Sequence, residues 1–551
     1  MVRLTELRIK GYRSIKDECV ISFPEDAPLV LIGENNAGKS NVVKALDVIL
    51  GEMWPASREP EDHEFWDRDP RGGRIEIEAF WDGLECERNG PIRSICLIHS
   101  PTEGTEPFFK ALTPGDAQVY VSKKLRQQCQ AIVVAADRRL SYQLSYTSKW
   151  TLLSKLMRKF HDNLVSDPAR VERLKAEFQG ITDIFQEVEE FKAFQEGLVN
   201  QLGAMLDGMS YGLSVDFSAY DPSNFFHSLR VLPNEDGDTR TFEELGTGQE
   251  QLLALVFAHA YARAFYGGIV LVIEEPEAHL HPLAQLWLGR TIREMTQDGL
   301  QVILTTHSPA FVDILGLEGV VLVRKVEGAT QVKRLSAAEL AAFCVAHGAE
   351  RKRATAERIL PFYSNSATEE ILSGLFARKV VLVEGQTEQL ALPVYLKKAG
   401  LDVLRWGIAV IPVMGKGNLA KWWRFFVAYG LPTYVIFDND DANDDDGRKR
   451  KDALTTIGLP EEEIEPLLAS EDWTVADFYS IFGRDFEITL RNVFPEYEEI
   501  EAAAIAELGS DSKPLVAKYV ADRLEPDFET EGGRRLKLLA GKIERLTVAV
   551  E

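Results

Sequence analysis

"APLVLIGENNAGKSNVVKALDVIL", Ala27 to Leu50, decides how the first half of this chain folds. Four apolar residues, Leu29 to Ile32, read as a short, fully buried strand that runs straight into "GENNAGKSN", Gly33 to Asn41. That stretch fits the G-x-x-x-x-G-K-[ST] pattern, and "NVVKALDVIL" continues it at helical spacing. Strand, glycine loop and helix in this order make a phosphate-binding loop. Gly33 and Gly38 let backbone N–H groups close on an anion, with Asn35 and Asn36 between them. The helix N-terminus favours negative charge. Lys39 is placed to reach the β- and γ-phosphates of ATP, and Ser40 to offer its hydroxyl to Mg²⁺, with Asn41 beside it.

Two further strands end in groups that suit nucleotide chemistry. "GGIVLVIEEPEAHLHP", Gly267 to Pro282, delivers Glu274 and Glu275 to the carboxyl end of an apolar strand, where ligands bind in open α/β sheets. Glu274 takes the metal-supporting position, and Glu275 is suited to orient or activate the attacking water. "QVILTTHSP", Gln301 to Pro309, ends in His307, a candidate sensor of the γ-phosphate. Between these motifs lies "ELGTGQEQLLALVFAHAYA", a glycine turn followed by an amphipathic helix.

The order of these motifs resembles that of the ABC-type ATPases of the SMC and RecF kind. The resemblance implies that the signature turn of one subunit, here Leu245, Gly246, Thr247, Gly248 and Gln249, closes over ATP held by another, so a homodimer is expected. The family's usual Leu-Ser-Gly-Gly-Gln is altered, and Glu274 replaces the usual aspartate; slow ATP hydrolysis is the corresponding expectation. The stretch between Ser40 and Leu245 is too short for long coiled-coil arms. Residues 152–209 have the propensity and periodicity of a helical hairpin broken at "SDP", Ser166 to Pro168, which reads equally as a dimer contact or as a cap on its own domain. The tract from Trp54 to Gly73 is turn-rich and reads as a loop near the nucleotide.

After Ala377 the strand–acid pattern starts again. "VVLVEGQTEQLALPVYLKKAG" carries Val380 to Val383 into Glu384, Gly385 and a helix bearing Glu388. "TYVIFDNDD" carries Tyr434 to Phe437 into Asp438 and Asp440, with Asp441 as a helper. Strands alternating with helices predict a small, mainly parallel sheet, with both acid groups at one edge. Hard oxygen ligands of this kind suit Mg²⁺ or Mn²⁺. An EF-hand is excluded by register: starting at Asp441 puts Asp446 where glycine is needed, and aligning Gly447 puts Ala442 at the first ligand position. Asp444, Asp445 and Asp446 read as loop. Arg448, Lys449, Arg450 and Lys451 read either as a phosphate-backbone contact or as charges balancing that loop.

A strand ending in Glu-Gly and a later strand ending in Asp-x-Asp identify a TOPRIM domain. With the ATPase before it, the chain resembles the OLD family, ATP-dependent nucleases with an N-terminal ABC-type ATPase and a C-terminal TOPRIM domain. The resemblance implies that Glu384, Glu388, Asp438 and Asp440, with Asp485 and Glu487 in "FGRDFEITL", hold two divalent ions, Mg²⁺ or Mn²⁺. It also implies a lysine that assists the cut, Lys513 in "DSKPLVAKYVA" or Lys537 in "GGRRLKLL". The activity implied is two-metal hydrolysis of DNA phosphodiesters, in a setting of phage defence or DNA repair. Two other classes stay open: an ATP-controlled DNA-binding clamp with a weak or idle TOPRIM site, and a topoisomerase or primase, although the chain after Ser470 leaves little room for the tyrosine-bearing, DNA-gripping domain that a topoisomerase needs.

Composition bounds these readings. A chain of 551 residues, 45% hydrophobic and 27% charged, is that of a folded protein of two or three domains. The expected layout is an α/β chain: ATPase at 1–145 and 213–374, helical insertion at 146–212, and a Rossmann-like TOPRIM domain at 375–551. A net charge of −24, acidic on both sides of Ala377, argues against a protein basic all over. DNA binding then needs local patches or metal ions. The five cysteines form no CxxC pair and read as reduced core thiols. No apolar run spans a bilayer or forms a signal segment, so a cytoplasmic location is expected.

Overall fold

The computed structural model describes residues 2–134 apart from 52, 56–58, 71–72 and 101–106; 164, 166–187 and 189; 234–235 and 238–239; and 268 and 270–548 apart from 441–443 and 445. The chain divides into two units, residues 1–133 with 266–551, and residues 134–265. In the second unit the described elements are a helix, Pro168–Gln186, and a hairpin of Asn234–Glu235 with Asp238–Thr239. The helix starts at the proline of "SDP", where a missing N–H costs nothing. The signature residues Leu245 to Gln249 lie outside the described residues, as do Asp441 and Asp445.

Among the described residues, the first unit holds three sheets of five or six strands, besides a two-stranded hairpin of Glu85–Cys86 with Gly90–Pro91. Arg3–Lys10 pairs antiparallel with Cys19–Ser22 on one side and Ile75–Asp82 on the other, and the sheet continues through Ser94–His99, Phe108–Leu112 and Gln118–Tyr120. Arg3–Lys10 and Ile75–Asp82 alternate buried with more exposed residues, as a sheet with one solvated face requires. The second sheet runs Ala131–Val134, Val270–Glu274, Gln301–Thr305, Leu29–Ile32, Val320–Val326, Ala329–Arg334. Leu29–Ile32 is central and parallel to both neighbours, and all four of its residues are buried. The helix Lys39–Leu50 packs Val42, Leu46 and Ile49 into the apolar core that both sheets share.

The third sheet runs Ile408–Pro412, Lys379–Val383, Thr433–Asp438, Tyr479–Phe482, Thr474–Val475. The first four strands are parallel and the last is antiparallel. Val380 to Val383 and Tyr434 to Phe437 are buried on both faces. Tyr395, Leu392, Phe486, Val520 and Leu539 belong to the core that covers one face. The helix Leu419–Ala428, with Trp422, Trp423, Phe425 and Phe426 fully buried, packs on the same central strands. The parallel sheet predicted from the two strand–acid repeats is therefore present, and it brings Glu384, Asp438 and the Phe482–Asp485 turn to one carboxyl edge. The described residues are mixed α/β, with the phosphate-loop sheet first and the acid-edged, mainly parallel sheet after it.

Candidate nuclease and nucleotide sites

At the nucleotide end, the phosphate loop joins Leu29–Ile32 to Lys39–Leu50. Gly33 and Gly38 have φ of 138° and 114°. A Cβ on Gly33 would lie 2.1 Å from the Val323 carbonyl oxygen, and one on Gly38 2.1 Å from Thr330 Oγ1. Both glycines are thus demanded by neighbours on the strands Val320–Val326 and Ala329–Arg334 as well as by the turn. Lys39 is buried, and its Nζ donates to the carbonyls of Gly33 and Glu34, both at 2.9 Å. Burial lowers its pKa to about 8, against the charges of Glu275, Glu277 and Glu34. Asn41 donates to Ser14 Oγ at 2.6 Å, which ties the helix start to the first strand's turn.

The strand that ends at Glu274 and the strand that leads to His307 are neighbours in register, Glu274 opposite Thr305. Glu275 has φ 48°, a left-handed conformation that a non-glycine residue adopts under constraint, and its N–H donates to the Thr305 carbonyl at 2.8 Å. His307 Nε2 lies 4.0 Å from Glu275 Oε1. Burial, and then the nearby Lys39 charge, lower the imidazole's pKa. Sequence reasoning passed over Glu277. Its carboxylate accepts from His307 N at 2.6 Å and from Thr306 Oγ1 at 2.8 Å, so it fixes the backbone that carries the histidine. The tract near Trp54 folds back through Glu64, whose backbone oxygen accepts from Arg13 N at 2.7 Å and whose side chain accepts from Tyr12 at 3.1 Å.

At the other end, six carboxylates gather at the carboxyl edge of the third sheet. Glu384 ends the strand Lys379–Val383, and Glu388, one turn into Gln386–Lys398, accepts from Gly385 N at 3.0 Å. Asp438 ends Thr433–Asp438. Asp485 caps the helix Phe486–Val493 by accepting from Ile488 N at 2.6 Å, and Glu487 is buried in its first turn. Lys513 Nζ lies 3.7 Å from Asp485 Oδ2 and 3.7 Å from Glu487 Oε2. Lys537 instead lies over the Phe528 ring at 4.7 Å. Of the two lysines, only Lys513 is brought to these acids by a described contact.

The electrostatics are those of crowded, buried acids. Burial first, then the charges of Glu388, Glu384, Asp440 and Glu487, pushes Asp438 well above the carboxylate range. Burial raises Glu384 to about 7; Lys416 opposes that shift, and Glu388 and Asp440 add to it. Glu388 and Glu487 are raised as well, chiefly by burial. Lys513 is raised, mainly by the charge of Glu487. Glu384 Oε2 and Asp438 Oδ1 are buried without any hydrogen-bond partner. Such oxygens are costly unless a cation meets them. Hard oxygens left bare at a parallel sheet's carboxyl edge fit a divalent ion of the Mg²⁺ or Mn²⁺ type. Among the described residues, no three acidic, histidine or cysteine side chains already converge at metal-ligand spacing.

Burial sharpens two sequence readings. Asp444 lies in a loop, as expected, but it is 3% exposed and accepts from Lys449 N at 2.9 Å and Arg450 N at 3.1 Å at the start of the helix Arg448–Ile457. Arg450 is not placed to track phosphates. Its guanidinium is buried, paired with Asp444 at 3.0 Å, and donates to the Asn439 carbonyl and amide oxygens at 3.1 and 3.0 Å. It thereby holds the residue between Asp438 and Asp440. Arg448 pairs with exposed Asp446, and Lys451 with Glu465. Charge alone could not separate Arg450 from its neighbours. Lys416, which also lies among the acids, was missed altogether. It follows a strand that ends without an acid, so the strand–acid pattern did not flag it.

Comparison with known proteins agrees with this arrangement. Residues 375–440 match the model for the TOPRIM domain of overcoming lysogenization defect protein-like proteins, residues 3–89 an AAA ATPase domain, and residues 135–313 an AAA domain. The chain is 25% identical over 485 residues to an OLD nuclease of Thermus scotoductus, covering 81% of this chain and 85% of that protein. It is 28% identical over 234 residues to the Old nuclease of Escherichia phage P2, covering 39% and 37%. Among solved structures, the Smc head domain of Pyrococcus furiosus aligns over 61% of this chain and 96% of its own, at 14% identity and a TM-score of 0.36. Among the described residues no helix is long and apolar enough to cross a membrane.

Proposed function

Taking the chain as an OLD-type protein, an ATPase head joined to a TOPRIM domain, we propose that it is a divalent-metal-dependent DNA endonuclease whose ATPase controls the cut. The observation that carries this reading is the pair of bare, buried carboxylate oxygens on Glu384 and Asp438, on adjacent strands of one sheet edge. Glu384, Asp438 and Asp440 would hold one ion, and Glu388, Asp485 and Glu487 would support a second. Bound there, divalent ions supply Lewis acidity to a phosphodiester and a hydroxide at neutral pH. The chain's own part is to gather six acids at one edge, to hold Asn439 through Arg450, and to present the Lys513 ammonium toward the phosphate. In the head, Lys39 and the phosphate-loop amides bind ATP, Ser40 and Glu274 hold Mg²⁺, and Glu275 beside His307 activates water. Pairing of two heads through Gly246 to Gln249 makes the working form a homodimer. The domain layout that goes with this is 1–145 and 213–374 for the head, 146–212 for the insertion, and 375–551 for the nuclease.

The test is a plasmid cleavage assay with Mg²⁺ or Mn²⁺. Nicked or linear product from the wild type, lost in Asp438→Ala, is the expected result. If the variant cuts as well as the wild type, the nuclease reading falls. ATP-dependent DNA retention without any cut would instead favour the clamp, and relaxed, covalently closed product a topoisomerase.

A further inference from the structure

Lys416 begins a short turn, Lys416–Asn418, after the strand Ile408–Pro412. Its ammonium is buried, with the side chain 2% exposed. Nζ donates to the Asp440 carbonyl at 2.9 Å and to the Asp440 carboxylate, and it lies 3.9 Å from Glu384 Oε2. The loop is held at both ends: Gly415 N donates to the Glu384 carbonyl at 2.9 Å, and Asn418 Nδ2 to the Val413 carbonyl at 2.8 Å. Met414, exposed, has φ 58°, and Gly415 has φ 109°. A non-glycine residue held in the left-handed region marks a backbone constrained by its surroundings.

A desolvated ammonium is expensive unless carboxylates meet it. Here the carboxylates that meet Lys416 are two of those expected to hold a divalent ion. A monovalent and a divalent cation a few ångströms apart in a poorly screened site repel strongly, so they cannot both lean on Asp440 and Glu384 at full strength. We infer that Lys416 is an internal counter-cation that competes with the divalent ion: it positions Asp440 and Glu384 while the site is metal-free, and gives up the Asp440 carboxylate when metal loads. This rests on the reading of the cluster as a divalent-ion site. Lys416 is thus a positioning residue, and it sets the metal concentration at which the site fills.

The experiment is Mn²⁺ binding to the full-length, nucleotide-free protein without DNA, by calorimetry and by the loss of the free-ion paramagnetic signal. Asp438→Ala identifies the sites that belong to the cluster. Lys416→Gln, neutral but still able to hydrogen-bond the Asp440 carbonyl, should tighten binding at those sites about threefold or more, while Lys416→Arg should stay near wild type. Unchanged or weaker binding in Lys416→Gln overturns the competition and leaves the metal site standing. Wild-type binding that Asp438→Ala does not alter overturns both. A measurement on the wild type alone covers the case of a variant that does not fold. Acylation of Lys416, followed by mass spectrometry, should rise as Mg²⁺ is added, and protection that stays unchanged or increases counts against the inference.

Discussion

Arg378 Nε donates to both carboxylate oxygens of Glu34, each at 3.0 Å. Glu34 belongs to the phosphate loop, and its carbonyl accepts from Lys39. Arg378 immediately precedes the strand Lys379–Val383, whose end carries Glu384. Arg324, from the strand beside the phosphate-loop strand, donates to the Gly430 carbonyl at 2.6 Å and to the Arg378 carbonyl at 3.2 Å. These contacts join the phosphate loop to the base of the strand that ends at Glu384, and in the proposed function they are the route by which nucleotide in the loop acts on the acid cluster.

Arg378→Ala should reduce the effect of ATP on DNA cleavage while ATP-free cleavage persists. The side chain is 60% exposed, and a pair of that kind is worth about 0.2–1 kcal/mol, so the change is at most about fivefold. The measurement is the ratio of cleavage rates with and without ATP. A ratio equal to that of the wild type would break the proposed link.

Asp438→Asn should separate stability from activity. The substitution replaces an acid whose ionised form is penalised by burial, at a site that gives Asp438 Oδ1 no hydrogen bond, while it removes a proposed metal ligand. In chelator the thermal midpoint should rise, and cleavage with Mg²⁺ should fall by about 100-fold or more. A midpoint below that of the wild type would show that the burial penalty is not borne by this carboxylate.

Glu384 gives the metal-free protein a pH dependence of known sign. Its folded value, about 7, lies above the ordinary 4.5, so the folded state binds the extra proton between those values. Its contribution is fully present below about pH 4.5 and is lost as pH rises through about 7, by up to about 3 kcal/mol. Urea unfolding in chelator at pH 5 and pH 8 measures it. Glu384→Gln should flatten that part of the profile; an unaltered slope would assign it to other groups.

Lys513 and Lys537 should behave differently. Lys513→Ala removes an ammonium held 3.7 Å from Asp485 and Glu487, so cleavage should drop about tenfold or more. Lys537→Ala removes a cation over Phe528 and should leave cleavage within about twofold. Equal losses, or a larger loss at Lys537, would reverse the choice between them.

The sequence alone was enough for the strands that carry chemistry. Leu29–Ile32, Val270–Glu274, Gln301–Thr305, Lys379–Val383 and Thr433–Asp438 are apolar because both faces of a parallel strand are buried, and each ends where its polar or acidic residues begin. The pattern is local, so it is legible in one dimension. It also placed Glu384 and Asp438 at one edge, since parallel strands end together.

What lies beside those acids was decided only in three dimensions. Lys416, Arg450 and Glu277 come from segments whose local pattern is that of ordinary turns and surface helices, and their roles arise from partners just past the ends of other strands. Nothing near Lys416 in the chain shows that its ammonium will be buried against Asp440. Nor does the run Arg448 to Lys451 show which of four cations turns inward. Spacing along a strand fixes which groups share an edge. The cost of burying charge decides which cation is drawn in to meet them, and that cost exists only once the sheet has closed around them.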